Sequence, residues 1–434
     1  MVIASLVVVV AREFGAKKAK PLPPVGAGYW HTSGTAILDA YNRPVRIAAV
    51  TWFGAESSTW VPGGLDFQRY QEIMNEVKRL GYNAIRLPFS NQLVEENPVV
   101  HSWVNANPEL RGRRALTVMD DIVHYAGKIG LKIILDDQIS ASEPLHGKGL
   151  GSGPRLDEPL WYTSRYPQSA WIRDWTRLAR RYRSDSAVIG FDLRNEPHTA
   201  GPGPWTIDTY LNQGSTWGRF DGIENPKTDW RLAAKRCGDA VLKINSKLLI
   251  FVEGLQLYPQ AGRRHGVDSY WWGGILRQVR KYPIVLSRPH QLVYSPHEYG
   301  PQKWPYYWWW RHLTYRRLAR ELDRQWGFIL NHPRAKYAAP IFLGETGTCT
   351  NFAYCVNDGP PAASASPSSR IRREQGRWLH LIVRYIRRHP NLGWSLWALN
   401  GTNALDQDST DGLLNVSWTG VQSRKLQRLL SMIQ

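Results

Sequence analysis

Cysteine is scarce in this chain, with three residues in 434. So low a count gives no basis for a disulfide-stapled scaffold or a thiolate zinc site. Cys349 and Cys355 stand six positions apart in an expected loop and suit one small local bridge in an oxidising compartment. Cys237 falls in a helical stretch, as a buried thiol. Long apolar runs are also missing. The stretch from Met1 to Val10 is too short for a membrane span, which takes about 20 residues. It resembles the core of a secretory signal without a basic start or a clear cleavage site. The expectation is a secreted protein with an atypical or truncated leader and no stable membrane insertion. Acidic residues are in deficit, 36 against 55 Lys and Arg, for a net charge of +19. Such a charge can mark a nucleic-acid binder. Here the basic residues are spread over expected helices, as in Arg177 to Arg181, Arg370 to Arg373 and Arg384 to Arg388. Solvated outer faces account for them, so no nucleic-acid partner is expected. No Gly-rich phosphate loop follows the first strand candidate, which disfavours an open doubly wound nucleotide-binding sheet.

Aromatics with a polar handle are abundant: 21 Trp and 20 Tyr against 10 Phe. Most serve a large core, and the remainder suit stacking on a flat, hydroxylated ligand. Eight short, near-continuously apolar segments alternate with amphipathic stretches. They run Val45 to Phe53, Ala84 to Phe89, Lys132 to Gln138, Val188 to Arg194, Leu248 to Glu253, Leu292 to Tyr299, Ile341 to Gly347 and Gly393 to Leu399. Strands that read this way are covered on both faces. Helices are expected over Asp66 to Leu80, Ala115 to Ile129, Ala170 to Tyr182, Asp229 to Ile244, Arg316 to Leu330 and Arg370 to Arg388. Eight strands with intervening helices predict an α/β fold, a closed (β/α)8 TIM barrel with extended loops at the C-terminal face of the strands. Residues 1–26 read as a tail and 27–434 as a single catalytic domain. The stretch Gly359 to Ser369 reads as a flexible insertion, since a helix and the last strand follow it.

In such a barrel, reacting groups sit at strand C-termini. The fourth strand candidate ends Phe191-Asp-Leu-Arg-Asn195-Glu196-Pro197, and the seventh ends Phe342-Leu-Gly-Glu345-Thr-Gly347. A carboxylate ending a buried apolar strand is costly unless paired. A structural carboxylate capping the next helix explains either one alone, but two at strand ends point to paired acid chemistry. Glycoside cleavage needs a proton for the leaving oxygen and an anion to support the oxocarbenium-like centre. Carboxyl groups roughly 5–5.5 Å apart would imply retention through a covalent glycosyl-enzyme.

Asn195-Glu196-Pro197 at the end of strand four resembles the acid/base motif of glycoside hydrolase family 5, close to its bacterial endo-β-1,4-glucanases. An ordered series of blocks supports this: Gly28-Tyr-Trp-His-Thr-Ser-Gly34, Trp52-Phe-Gly54, Leu80-Gly-Tyr-Asn-Ala-Ile-Arg-Leu-Pro88, Leu160-Trp-Tyr-Thr163, Leu249-Ile-Phe-Val-Glu-Gly254 and Ser269-Tyr-Trp-Trp-Gly-Gly274. The resemblance spans roughly residues 27–434. It implies Glu196 as acid/base and Glu345 as nucleophile, with Asn195 bonding the sugar 2-hydroxyl. It further implies Arg86 and Tyr299 beside the nucleophile, keeping it ionised and oriented. His297 lies two residues before Tyr299, on the same strand side, and Trp397 matches the platform under the reacting ring. Trp52, Trp271 and Trp272 are further candidates for sugar stacking, and the run Trp304 to Trp310 is a candidate extension of the cleft.

The family pattern breaks on strand three. Its members carry a segment resembling Leu-Asp-Arg-His, where this chain reads Leu135-Asp136-Asp137-Gln138. Glutamine can still bond a sugar hydroxyl but carries no proton or charge. Asp137 adds a negative charge that could lift the proton affinity of neighbouring carboxylates. The expectation is altered or reduced activity, with Gln138 contacting substrate. The expected function is a retaining endo-β-1,4-glucanase acting on β-glucan as a monomer, without metal or organic cofactor. The competing readings are a related β-glycanase acting on mannan, xyloglucan or mixed-linkage glucan, a transglycosylase, or a catalytically weakened carbohydrate-binding barrel.

Overall fold

The computed structural model describes residues 23–142, 158–201, 203, 205–260, 266–300, 313–348, 369–402 and 412–434. The apolar run from Met1, the Cys349/Cys355 pair, the Trp304 to Trp310 run and nearly all of the Gly359 to Ser369 stretch lie outside them. Among the described residues, Cys237 is buried and free, and no helix is long and apolar enough to cross a membrane.

The eight apolar segments form the sheet: β1 Ala48–Thr51, β2 Ala84–Ser90, β3 Lys132–Ile139, β4 Val188–Asp192, β5 Leu249–Val252, β6 in two halves, Leu292–Tyr294 and Glu298–Tyr299, β7 Phe342–Gly347, and β8 Gly393–Leu396. Every neighbouring pair is parallel. The order of hydrogen-bonded strands begins on one half of β6 and ends on the other. Leu292–Tyr294 pairs with β5 and Glu298–Tyr299 with β7, while Tyr294 also bridges Ile341 at the foot of β7. The sheet is therefore closed, as expected from the alternation of segments.

Parallel strands need crossovers, and the helices supply them. Ala115–Ile129 shows why such stretches coil. Leu116, Met119, Ile122, Val123 and Ala126 repeat at three- and four-residue spacing and are buried, and Gly130 ends the helix at φ 76°. The stretch expected as one helix from Arg316 to Leu330 is instead Tyr315–Leu322, a π-helical turn Asp323–Gly327, and Phe328–Asn331. Its wide turn carries Trp326 into the core.

Strand alternation splits the interior in two. Outward residues such as Val50, Ile85, Leu135, Ile250 and Leu343 join the large core beneath the helices. Inward residues Ala49, Ala84, Ile134, Ile189, Leu249, Val293 and Phe342 fill the lower barrel, capped by Trp30 and Ile37 from an antiparallel N-terminal hairpin. One turn of the pleat higher, the inward positions change character. Thr51, Arg86, Asp136, Asp192, Ser295 and Ser395 are polar and fully buried. That polar layer is the floor on which the site stands.

Candidate active site

Arg86, on β2, is the hub of this floor. Its side chain is fully buried, a position tolerable only when a guanidinium is surrounded by acceptors. Nη1 donates to Glu345 Oε1 at 2.8 Å, and Nε to Asp192 Oδ2 at 3.1 Å. Nη2 reaches Asp136 Oδ1 at 2.9 Å, Asn195 Oδ1 at 3.0 Å and Glu253 Oε1 at 3.2 Å. Four carboxyl groups thus share one cation. Burial pushes Asp136 and Glu253 well above the usual carboxylate range, and Asp192 upward too, each opposed by Arg86.

Glu345 reaches the site because the register between β7 and β8 shifts between Leu343 and Thr346. Arg86 holds one of its oxygens, and the Tyr299 hydroxyl donates to the other. Across the barrel mouth, Glu196 follows β4 with φ 49°, a left-handed conformation that costs about 1–3 kcal/mol in a non-glycine residue. Its Oε1 lies 2.8 Å from His297 Nδ1, and that same nitrogen is 3.6 Å from Glu345 Oε2. One oxygen of Glu196, one of Glu345 and a ring nitrogen of His297 fall within 4.8 Å of one another. Burial is the main force on Glu196 and raises its carboxyl to about 7. The His297 contact opposes the rise, and the Glu345 and Glu253 charges add to it. A carboxyl so placed holds its proton near neutral pH and can donate it.

Asn195 turns its carbonyl oxygen to Arg86, while its Nδ2 has no partner among the described residues. The amide is thereby fixed with its donor spare. Gly344 lies under the His297 ring, where a Cβ would sit 3.0 Å from Nε2, so the ring's seat depends on a glycine. Two carboxyl trios are close enough to hold a cation: Glu196 with His297 and Glu345 (where His297 offers a nitrogen), and Asp136 with Asp192 and Glu253. In the second, Arg86 already bonds all three and supplies the positive charge.

The aromatic candidates divide. Trp397 is buried to 8% exposure and stacks on Phe53 at 5.4 Å between centroids. Trp272 keeps partial exposure and lies flat on His198 at 4.2 Å. Trp52 and Trp271 do not offer a face to ligand. Trp52 is fully buried and donates to the Gly63 carbonyl, and Trp271 is buried, donating to Glu298 and packing edge-on against Tyr299. Both were expected to stack on sugar. Their indole N–H groups have protein acceptors, which lets the rings enter the core.

Strand alternation also separates the two odd residues of β3. Gln138 shares the inward side with Asp136 and is buried. Asp137 faces the helices, 3.6 Å from Arg194, which also bonds Glu158 and Ser140. Burial lifts Asp137 to about 7, opposed by Arg194. The expected influence of Asp137 on a neighbouring carboxylate falls on Asp174, whose carboxyl it helps to raise, while the main forces on Glu196 are burial, His297, Glu345 and Glu253.

Sequence reasoning missed Asp136, Asp192 and Glu253, although each is an acid at an inward register position near a strand end. It also missed Glu56, buried after β1 and bonded to the Gly54 N–H at 2.7 Å, whose carboxyl burial raises to about 7.

A closed parallel barrel with two carboxyl groups facing each other over its C-terminal rim, one held by Arg and Tyr and one raised by burial to about 7, is the arrangement of a glycoside hydrolase. The comparisons with known proteins agree. Residues 38–403 match the family described as Cellulase (glycosyl hydrolase family 5), to which the chain belongs. It is 35% identical to an endoglucanase of Paenibacillus polymyxa, over 94% of this chain and 87% of that protein. The major extracellular endoglucanase of Xanthomonas campestris pv. campestris is 26% identical over 91% of this chain and 69% of its own length. Among solved structures, the endocellulase of Pyrococcus horikoshii in complex with cellotetraose superposes with a TM-score of 0.75 at 29% identity, covering 95% of this chain and all of that one.

Proposed function

We propose that this protein is an endo-β-1,4-glucanase that works by double displacement, with Glu345 as nucleophile and Glu196 as acid/base. The observation that carries the assignment is the approach of these two side chains, within 4.8 Å at their nearest oxygens. That closeness suits the retaining geometry, in which the carboxyl groups are about 5–5.5 Å apart with no room for an intervening water. The relatives named above support β-1,4-glucan as substrate.

In the first step Glu345 attacks the anomeric carbon, and Glu196 gives its proton to the departing glycosidic oxygen. Arg86 and Tyr299 hold both oxygens of Glu345, so the attacking group is aimed before substrate arrives. In the second step Glu196, now a carboxylate, takes a proton from water. That water attacks the same carbon and releases Glu345. His297 stays bonded to Glu196 Oε1 and fixes its position. Asn195 Nδ2 donates to the sugar 2-hydroxyl, a contact that tightens as charge develops on the ring. The partly exposed Trp272 extends the surface toward the chain of sugars, with Trp397 beneath the reacting ring, while Gln138 is buried beside Asp136 on the inward face of β3.

Residues 27–434 act as one catalytic domain, and the protein works as a monomer. The extracellular relative supports secretion. Glu345→Ala tests the assignment. Hydrolysis of soluble β-glucan should fall by at least about 10⁴-fold, since no covalent intermediate can form. Added azide should restore turnover and give the α-glycosyl azide. Proton NMR of early products from the parent enzyme should show the β-anomer. Hydrolysis in Glu345→Ala at the parent rate, or an α-anomer from the parent, would overturn the reading.

A further inference from the structure

Glu253 follows β5 and is fully buried, yet no step of the mechanism uses it. It touches both halves of the site. Its Oε2 accepts the backbone N–H of Glu196 at 2.7 Å. Its Oε1 accepts from Arg86 Nη2 at 3.2 Å, the group that also holds Glu345. The same oxygen lies 3.0 Å from His297 Nε2, off the direction of a ring N–H, so this contact is charge beside ring rather than an aligned hydrogen bond. The backbone of Glu253 is itself anchored, its carbonyl accepting the Trp230 indole at 3.0 Å. On the remaining side stands Gly273, at φ 67°, where any Cβ would collide with Glu253 Oε2.

We propose that Glu253 is a positioning residue for acid catalysis, holding Glu196 in its left-handed backbone so that the carboxyl meets both His297 and the glycosidic oxygen. The proposal rests on Glu196 being the acid/base. A left-handed glutamate followed by Pro197 does not keep that conformation unaided, because the extended region is lower in energy. A carboxyl oxygen on its N–H, pinned by Gly273 behind and Arg86 beside, stabilises it. The ionisable groups facing Glu253 are Arg86, Asp192, Glu345, His297 and Glu196, with Asp136 sharing the cluster. Among them only Arg86 brings a permanent positive charge. Two carboxyl oxygens are needed, one for each of two donors, and an amide supplies only one acceptor.

Glu253→Gln therefore loses one of its two contacts while keeping its volume. The test compares kcat/KM, which reports the first step, on two cellobiosides with the same sugar. Phenyl cellobioside needs a proton on its leaving group, and 2,4-dinitrophenyl cellobioside does not. Glu253→Gln should lose about 30-fold or more on the phenyl substrate, a share of the 10²–10⁴ that general acid catalysis contributes, and less than about 3-fold on the dinitrophenyl one. Equal losses on both, or none on either, would overturn the proposal, because a merely structural role does not sense the leaving group. If Glu253→Gln does not fold, Gly273→Ala pushes on the same contact from behind and should give the same leaving-group signature, with the same outcomes overturning it. Glu196→Gln run alongside separates the two levels. If it lacks the signature, the acid/base assignment fails. If it shows the signature and both other variants do not, only the role of Glu253 fails.

Discussion

Replacing His297 by phenylalanine removes a buried side-chain hydrogen bond to Glu196 Oε1, 2.8 Å long, while filling the same space. Burial holds the Glu196 carboxyl at about 7, and His297 pulls against that rise. Removing the pull sends the proton affinity higher still. A hydrogen bond to a charged group contributes roughly 1.5–3 kcal/mol. At about 1.4 kcal/mol per pH unit, the carboxyl should titrate about 1–2 units higher. The acid form then persists to more alkaline pH, so the descending limb of kcat/KM should move upward from near neutrality by that amount. The rate at the optimum should fall, since a carboxyl misplaced by about 1 Å can lose on the order of 10²-fold. The assay is kcat/KM on a soluble cello-oligosaccharide from pH 4 to 9, with far-UV circular dichroism at each pH to confirm the fold. A limb that stays in place, or moves to lower pH, would refute the idea that this contact sets the proton affinity of the acid.

Two further outcomes test the division between core and cleft. Trp52→Leu should lower the stability to unfolding by about 3 kcal/mol, as loss of a buried aromatic does, whereas Trp272→Ala should raise KM several-fold with little change in unfolding midpoint; denaturant melts with steady-state kinetics decide, and the reverse pattern would show the wrong ring facing substrate. Arg194→Met should destabilise the fold by about 3 kcal/mol by leaving Asp137 and Glu158 without their cation. The pH profile of that variant should match the parent, and a shifted alkaline limb would mean that Asp137 does act on the catalytic pair.

The family match favours the endoglucanase over the weakened binding barrel. It leaves unaltered the physical oddity of β3, which carries Asp137 and Gln138 where the resemblance implied Arg and His. The two substitutions act in different places because they sit on opposite faces of one strand. Asp137 is compensated by Arg194 under the helices, while Gln138 is left on the side of the chemistry.

The barrel was legible from the chain alone because burial on both faces demands apolar strands, and eight such segments spaced by helical periods admit few closed arrangements. Ala115–Ile129 was bounded to the residue, since a periodic face and Gly130 mark both its packing and its end. Strand ends likewise pointed to Glu196 and Glu345. Tertiary packing alone decided which aromatics are spent inside, as with Trp52 and Trp271, because an indole enters a core only when a distant carbonyl or carboxylate accepts its N–H. It also decided the acid cluster. Asp136, Asp192 and Glu253 come from three strands, and nothing local to any of them foretells that one guanidinium on a fourth strand gathers all three. Sequence pattern indicates which face of a regular strand a residue takes, whereas the register shifts that turn Asp192 and Glu345 inward, and the charge compensation, depend on what the closed sheet brings together.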